Sequence, residues 1–167
     1  MTDAIASLTR RLDRMESCEA IRALVSRYAL GADRRNDPAV MGPLFSEDAV
    51  WEAEGFARYE SRTTIAQGLS DIAEKRVLWS LHYMVSPLIE LDETGDVARC
   101  RWGLWELATM RDEGEGAAPS DRWLGGVYDA VLTRTAADGW RFTHVVLDIR
   151  FEGLAGSSWV LKKGFHP

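Results

Sequence analysis

The apolar positions of this chain change period near its middle. In ESCEAIRALVSRYALGADRRND, Ile21, Leu24, Val25, Tyr28 and Ala32 recur at helical spacing. They share one face, with Arg22, Ser26 and Arg27 opposite. The pattern predicts a helix of about 20 residues ending near Asn36, because the Asp37-Pro38 step disfavours continuation. A short helical piece, PAVMGPLF, leads into a strand at DAVWEAE. After a charged loop, TTIAQGLSDIAEKR puts Ile65, Leu69, Ile72 and Ala73 on one face of a third helix.

From Val77 onward the period becomes that of strands, and four long ones are predicted near residues 77–91, 96–111, 121–135 and 139–152. DETGD and TAADG read as hairpin turns, and DEGEGAAPSD as a longer polar connection. Helices followed by hairpin-linked strands predict an α+β domain, its helices laid on one face of an antiparallel sheet. No repeat or linker interrupts it, so residues 1–167 form one domain with a core over about 15–150 and a C-terminal tail from 153.

Strand alternation assigns directions to side chains. Ala98, Cys100, Trp102, Leu104 and Glu106 share a row opposite Arg99 and Arg101, so this row faces the interior and Glu106 sits at its end. By the same rule Trp140, Phe142, His144, Val146 and Asp148 share a row, which turns His144 inward unless a bulge intervenes. Trp79, Leu81 and Tyr83 alternate with His82 and face outward, leaving an apolar patch suited to a homodimer or homotrimer. Gly125 and Gly126, inside a strand, mark a bend or a close approach.

Composition then excludes several functions. With 46% apolar residues the chain supports a real core. Its net charge of -6 is spread without a basic block, which argues against nucleic acid or an anionic membrane surface as partner. The longest apolar run, around 77–91, is too short to span a bilayer, and the N-terminus lacks the apolar core of a signal peptide. A cytoplasmic protein is the expectation. Cys18 and Cys100 belong to no paired-cysteine motif. The three histidines, at 82, 144 and 166, show no metal-ligand spacing, and no phosphate-cradling glycine motif follows a strand. Cofactor-free chemistry or plain ligand binding is left.

A carboxylate or imidazole on an interior face needs a partner, because burying it alone costs several kcal/mol. Asp33, His82, Glu106 and His144 therefore form a set to test for contact. An Asp33 that meets His82 would fix the imidazole tautomer and leave the other nitrogen as a base for proton abstraction from carbon, with Tyr28 able to offer a phenolic proton. Each has a plainer alternative: His82 as a satisfied core residue, Asp33 as a solvated helix end, Glu106 paired with an arginine, Tyr28 as packing.

The helix carrying Tyr28 and then Asp33, the LFSEDAVWE segment, SLHYMVSPLIELDETGDVA and GGVYDAVLTRTAADGWRF together resemble, in order and spacing, the SnoaL-like branch of the nuclear transport factor 2-like superfamily. The resemblance implies a cone-shaped α+β barrel, a curved antiparallel sheet wrapped around N-terminal helices, with a deep apolar pocket. It also implies cofactor-free elimination, as in the dehydratase and dehydrochlorinase members, with Asp33 and His82 in the positions of the family's catalytic pair. Tyr28 falls at that of a pocket tyrosine and Glu106 near that of a further acidic residue. Catalytic roles for His82, Asp33 and Tyr28 follow, and Glu106, His144, Trp102 and Tyr128 are the expected binders of a hydrophobic small-molecule substrate. Relatives often carry an arginine where this chain has His144, so proton abstraction is better supported than leaving-group chemistry. The superfamily also includes ligand-binding domains and the small subunits of aromatic-ring dioxygenases, and fold does not choose among them. Three roles are open to the tail GLAGSSWVLKKGFHP: covering the pocket mouth, crossing to a neighbouring subunit, or remaining partly disordered with His166 in solvent.

Overall fold

The computed structural model describes residues 2–112, 114 and 116–156. Among these residues three α-helices, α1 (Thr2–Asp33), α2 (Pro38–Met41) and α3 (Arg62–Arg76), accompany six strands: β1 (Phe45–Ala53), β2 (Ala57–Glu60), β3 (Val77–Leu91), β4 (Val97–Met110), β5 (Ser120–Thr135) and β6 (Gly139–Leu154). A 3₁₀ turn, Gly42–Leu44, joins α2 to β1. The tail beyond Gly156, and His166 with it, lies outside the described residues.

Local chemistry sets the boundaries. After Asp33 the chain leaves the helical path through Arg35 and Asn36, both at positive φ, and Asp37 starts α2 by accepting from the Ala39 N–H at 2.9 Å with Pro38 at the first position. Ser61 caps α3 by accepting from the Thr64 N–H. At its other end α1 reaches back to Thr2, well beyond the periodic segment predicted. No helix among the described residues is long and apolar enough to cross a membrane.

The strands form one curved sheet in the order β2-β1-β6-β5-β4-β3. The predicted all-antiparallel sheet is corrected at one seam, because β1 pairs with β6 in parallel. No hairpin joins these two strands, so nothing local sets their direction. The sheet is also open rather than a closed barrel, with β2 and β3 at its edges. β2 falls in the stretch read as a charged loop. It pairs with β1 across a tight turn at Gly55, where φ is +71°.

Residues of the helices and of the concave sheet face form the core, among them Ile21, Leu24 and Val25 of α1, Ile65 and Leu69 of α3, and Phe45, Cys100, Leu132, Phe142 and Val145 of the strands. At its centre Tyr28 meets Phe45, Trp102, Tyr128 and Phe142 edge-on, and Trp102 stacks on Tyr128 at 5.0 Å. This corrects the placement of Trp102 as a substrate binder: the ring is 1% exposed and filled around by these aromatics.

Two bulges steer β6. Phe142 pairs with Leu132 and His144 with Val131, leaving Thr143 as the extra residue. The alternation reverses there, so Val145 and Leu147 continue the buried row begun by Trp140 and Phe142. His144 and Val146 consequently turn to the convex face, opposite to the direction that unbroken alternation gives. A second bulge separates the Gly125 and Gly126 pairings, and a Cβ on Gly126 would stand 2.4 Å from the Asp148 carbonyl oxygen, so glycine is required there.

Candidate active site

The last turns of α1 lie against β3, and this contact builds the site. Asp33 Oδ1 accepts the His82 backbone N–H at 2.7 Å and sits 2.9 Å from His82 Nδ1. One carboxylate oxygen thus fixes both the strand and the ring. With Nδ1–H donating to Asp33, the Nε2 lone pair is the free one. Nε2 lies 3.4 Å from Glu106 Oε2. His82 and Glu106 are cross-strand partners in the β3 and β4 register, so their side chains stand together on the concave face.

Burial and charge set the protonation of this group. The side chains of His82 and Glu106 are each 12% exposed. Burial disfavours the imidazolium, but the Glu106 charge and the Asp33 hydrogen bond outweigh it, and the His82 pKa is raised. Burial also raises the Glu106 carboxyl, against the His82 charge and with the help of Asp33. Both shifts favour keeping a proton in the space between Nε2 and Oε2.

His82 and Glu106 open on a cavity of about 310 Å³ whose wall is mainly apolar, with Leu69, Ile72, Leu124 and Leu147 among its lining. Tyr28 and Tyr128 also line it. The Trp51 indole N–H donates to Tyr28 Oη at 2.8 Å, and the Tyr28 and Tyr128 hydroxyls interact with each other. Burial drives both phenol pKa values upward, and they stay protonated donors. Trp102 is not among the lining residues, and His144 is on the other side of the sheet. There its Nε2 meets Glu52 Oε1 at 2.7 Å, and Glu52 also pairs with Arg58.

Several lining residues were not singled out from the sequence. Ser80, buried two residues before His82, shares its face and was within reach of the period-2 rule. Asn36, whose amide donates to the Leu69 carbonyl at 3.1 Å, comes from the turn after α1. Arg76, Phe56 and Glu152 also border the cavity, with the Arg76 guanidinium 5.6 Å from the centre of the Phe56 ring. These contacts are distant in sequence and leave no local signal. Among the described residues no three His, Cys, Asp or Glu side chains gather as metal ligands.

A curved open sheet cradling helices, with a cavity on its concave face, defines an open α+β domain. The chain belongs to the SnoaL-like domain family, whose model matches residues 13–146. Among solved structures it is similar to a type 2 hexachlorocyclohexane dehydrochlorinase (LinA), at 19% identity over 92% of this chain and 99% of that one, with a TM-score of 0.80. The type 3 LinA of Novosphingobium barchaimii LL02 gives 20% identity, 91% and 99% coverage and a TM-score of 0.80. A scytalone dehydratase-like protein of Novosphingobium aromaticivorans matches over 100% of both chains at 17% identity and a TM-score of 0.67. No curated protein matches the chain. Identities this low carry the fold alone.

Proposed function

We propose that the protein is a cofactor-independent lyase of the dehydratase type, acting on a hydrophobic hydroxy-carbonyl compound. The observation that carries this is the placement of His82, held by Asp33 on one nitrogen and aimed at Glu106 and the cavity with the other. The reactive form is the one in which the proton shared between the two groups sits on Glu106 and His82 is neutral. Substrate binds with its hydroxyl accepting from Glu106, which frees Nε2. His82 Nε2 takes the proton from the carbon beside the carbonyl, and the C–H electron pair becomes the new C=C bond. The C–O bond breaks as the Glu106 proton passes to the hydroxyl, and water leaves. Asp33 stabilises the imidazolium so formed. His82 then returns its proton to Glu106 across the 3.4 Å gap. Tyr28 and Tyr128 offer neutral donors to the carbonyl oxygen as charge develops on it.

Glu106 favours a hydroxyl over a halide as leaving group, since a halide needs no proton to depart. The same pair could return the proton to a different carbon, which gives the double-bond isomerase variant of the reading. The dehydrochlorinase and scytalone dehydratase-like neighbours support elimination as the reaction class. The direct test is NMR titration of His82, assigned with His82→Ala. Its pKa falls in Asp33→Asn and in Glu106→Gln if the three groups work as one unit. Unchanged values in both variants overturn the reading.

A second reading has its own observation. Trp105 packs with Trp123 and Phe151 on the convex face, at 5.2 and 5.4 Å between ring centres, while Trp105, Tyr83 and Val85 remain largely exposed. Such a patch supports a docking domain, or a homodimer or homotrimer assembled through the sheet. A purely docking domain loses nothing but stability when His82 is replaced, so the two readings separate on the activity of His82→Ala.

A further inference from the structure

We infer that the N-terminal half of α1 pairs with the same segment of a second copy of this chain as a parallel two-helix coiled coil. The inward side of this helix is fixed by Arg134, which pairs with Asp13 at 2.7 Å and donates to Ser17 at 3.2 Å. Ile21, Leu24 and Tyr28 continue that side into the core. At 3.6 residues per turn, Ile5, Leu8, Leu12 and Met15 fall on the opposite side. They are 60%, 60%, 54% and 68% exposed. Four large apolar side chains in one row, flanked by Thr9, Arg11 and Glu16, form an exposed seam, while Arg14 donates to the Leu91 and Asp92 carbonyls of its own domain.

The spacing of the row identifies the occupant. Steps of three, four and three residues are those of alternating a and d positions, with Ile5 and Leu12 at a and Leu8 and Met15 at d. Arg11 then occupies g and Glu16 the following e, the two positions that face each other between parallel helices. Each Arg11 meets the partner's Glu16, twice by symmetry. No ion pair within the chain claims either residue among the described ones. An antiparallel pair would instead bring Arg11 against its own copy. Because seam and anchored side are opposite, the two domains stand on either side of the pair without collision. Next to the seam, a groove of about 680 Å³ between α1 and the end of β3, with Leu12, Met15, Ile89 and Leu91 in its wall, offers the partner helix further apolar surface. Two heptads make a small interface, so the dimer is a weak and reversible one.

Sedimentation velocity of the full chain over a micromolar concentration series tests this. A concentration-dependent dimer is expected, with Leu12→Glu weakening it at least about tenfold by placing like charges in the seam. Circular dichroism confirms that Leu12→Glu still folds, as an exposed position should allow. Arg11→Glu weakens the dimer about fivefold, and Arg11→Glu with Glu16→Arg restores it. A monomer at every concentration, an oligomer indifferent to Leu12→Glu and therefore built on another face such as the convex sheet, or a double swap that fails to restore pairing each overturns the inference.

Discussion

The two faces of the sheet each hold a histidine beside a carboxylate, and the pairs differ in what surrounds them. On the concave face His82 is 12% exposed, with Asp33 on one nitrogen and Glu106 near the other, at the wall of a cavity. On the convex face His144 is 41% exposed, and the Glu52 it meets is shared with Arg58. The same two functional groups line a cavity in one place and form a solvent-screened surface pair in the other. Burial and a second carboxylate beside the other nitrogen make the difference, not the identity of the residues.

The sharpest way to break this comparison is to remove each imidazole and measure turnover on a panel of cyclic β-hydroxy ketones. His82→Ala is expected to lower kcat by about 10²- to 10⁴-fold, the range of a lost general base. Asp33→Asn is expected to lower it nearly as far, since the ring loses its orienting acceptor. His144→Ala should leave kcat within about twofold, as a surface substitution away from the cavity. Equal losses from His82→Ala and His144→Ala would show that the two faces do not divide the chemistry as described. Core packing gives the next largest effect. Trp102→Ala should cost about 3–5 kcal/mol in chemical denaturation, because it removes the ring that stacks on Tyr128 and meets Tyr28 edge-on. A cost under about 1 kcal/mol would mean that the ring is not packed where it is described.

The concave face was the more legible of the two. The inward row from Ala98 to Glu106 follows from period-2 alternation alone, and the burial of Ala98, Cys100, Trp102 and Leu104 agrees with it. The four long strands emerge within a residue or two of their predicted limits, because long periodic segments carry strong signals. Depth was not legible: alternation places Trp102 and Glu106 on the same side but cannot say that one meets the aromatic core and the other the cavity. His144 went the wrong way because a single unpaired residue, Thr143, inverts everything after it. The parallel seam between β1 and β6 and the short β2 depend on pairing partners far away or too brief to show a period. Contact between Asp33 and His82, 49 residues apart, is of the same non-local kind. It was reached only as a candidate and through family resemblance.

The concave pair can be sharpened by its pH dependence. A pKa raised on folding means that the folded state binds more protons, so stability falls as pH rises. For His82 the contribution is fully present below its ordinary value of 6.5 and is lost as pH climbs through the raised folded value. For Glu106 the shift has the same sign, and its loss begins above the ordinary 4.5. Urea midpoints taken between pH 4 and 9 should therefore decline through this window more steeply in the parent than in Glu106→Gln, which removes one of the two linked groups. Parallel curves would show that Glu106 titrates as it does in the unfolded chain.

The smallest expected effect lies on the convex pair. Hydrogen bonding to His144, with help from Arg58, holds the Glu52 carboxyl below its ordinary range. A depressed carboxylate has the opposite sign from Glu106. Its contribution is present above the ordinary value of 4.5 and fades as pH falls through the lower folded value. Solvent screens this pair, so Glu52→Gln should cost under about 1 kcal/mol at neutral pH and nothing in strong acid. Thermal melts at pH 7 and pH 2.5 measure both ends. A larger loss at neutral pH would mean that water does not reach the pair. The convex face would then hold a buried ionic centre of its own, and the contrast in solvent access between the two histidines would have to be given up.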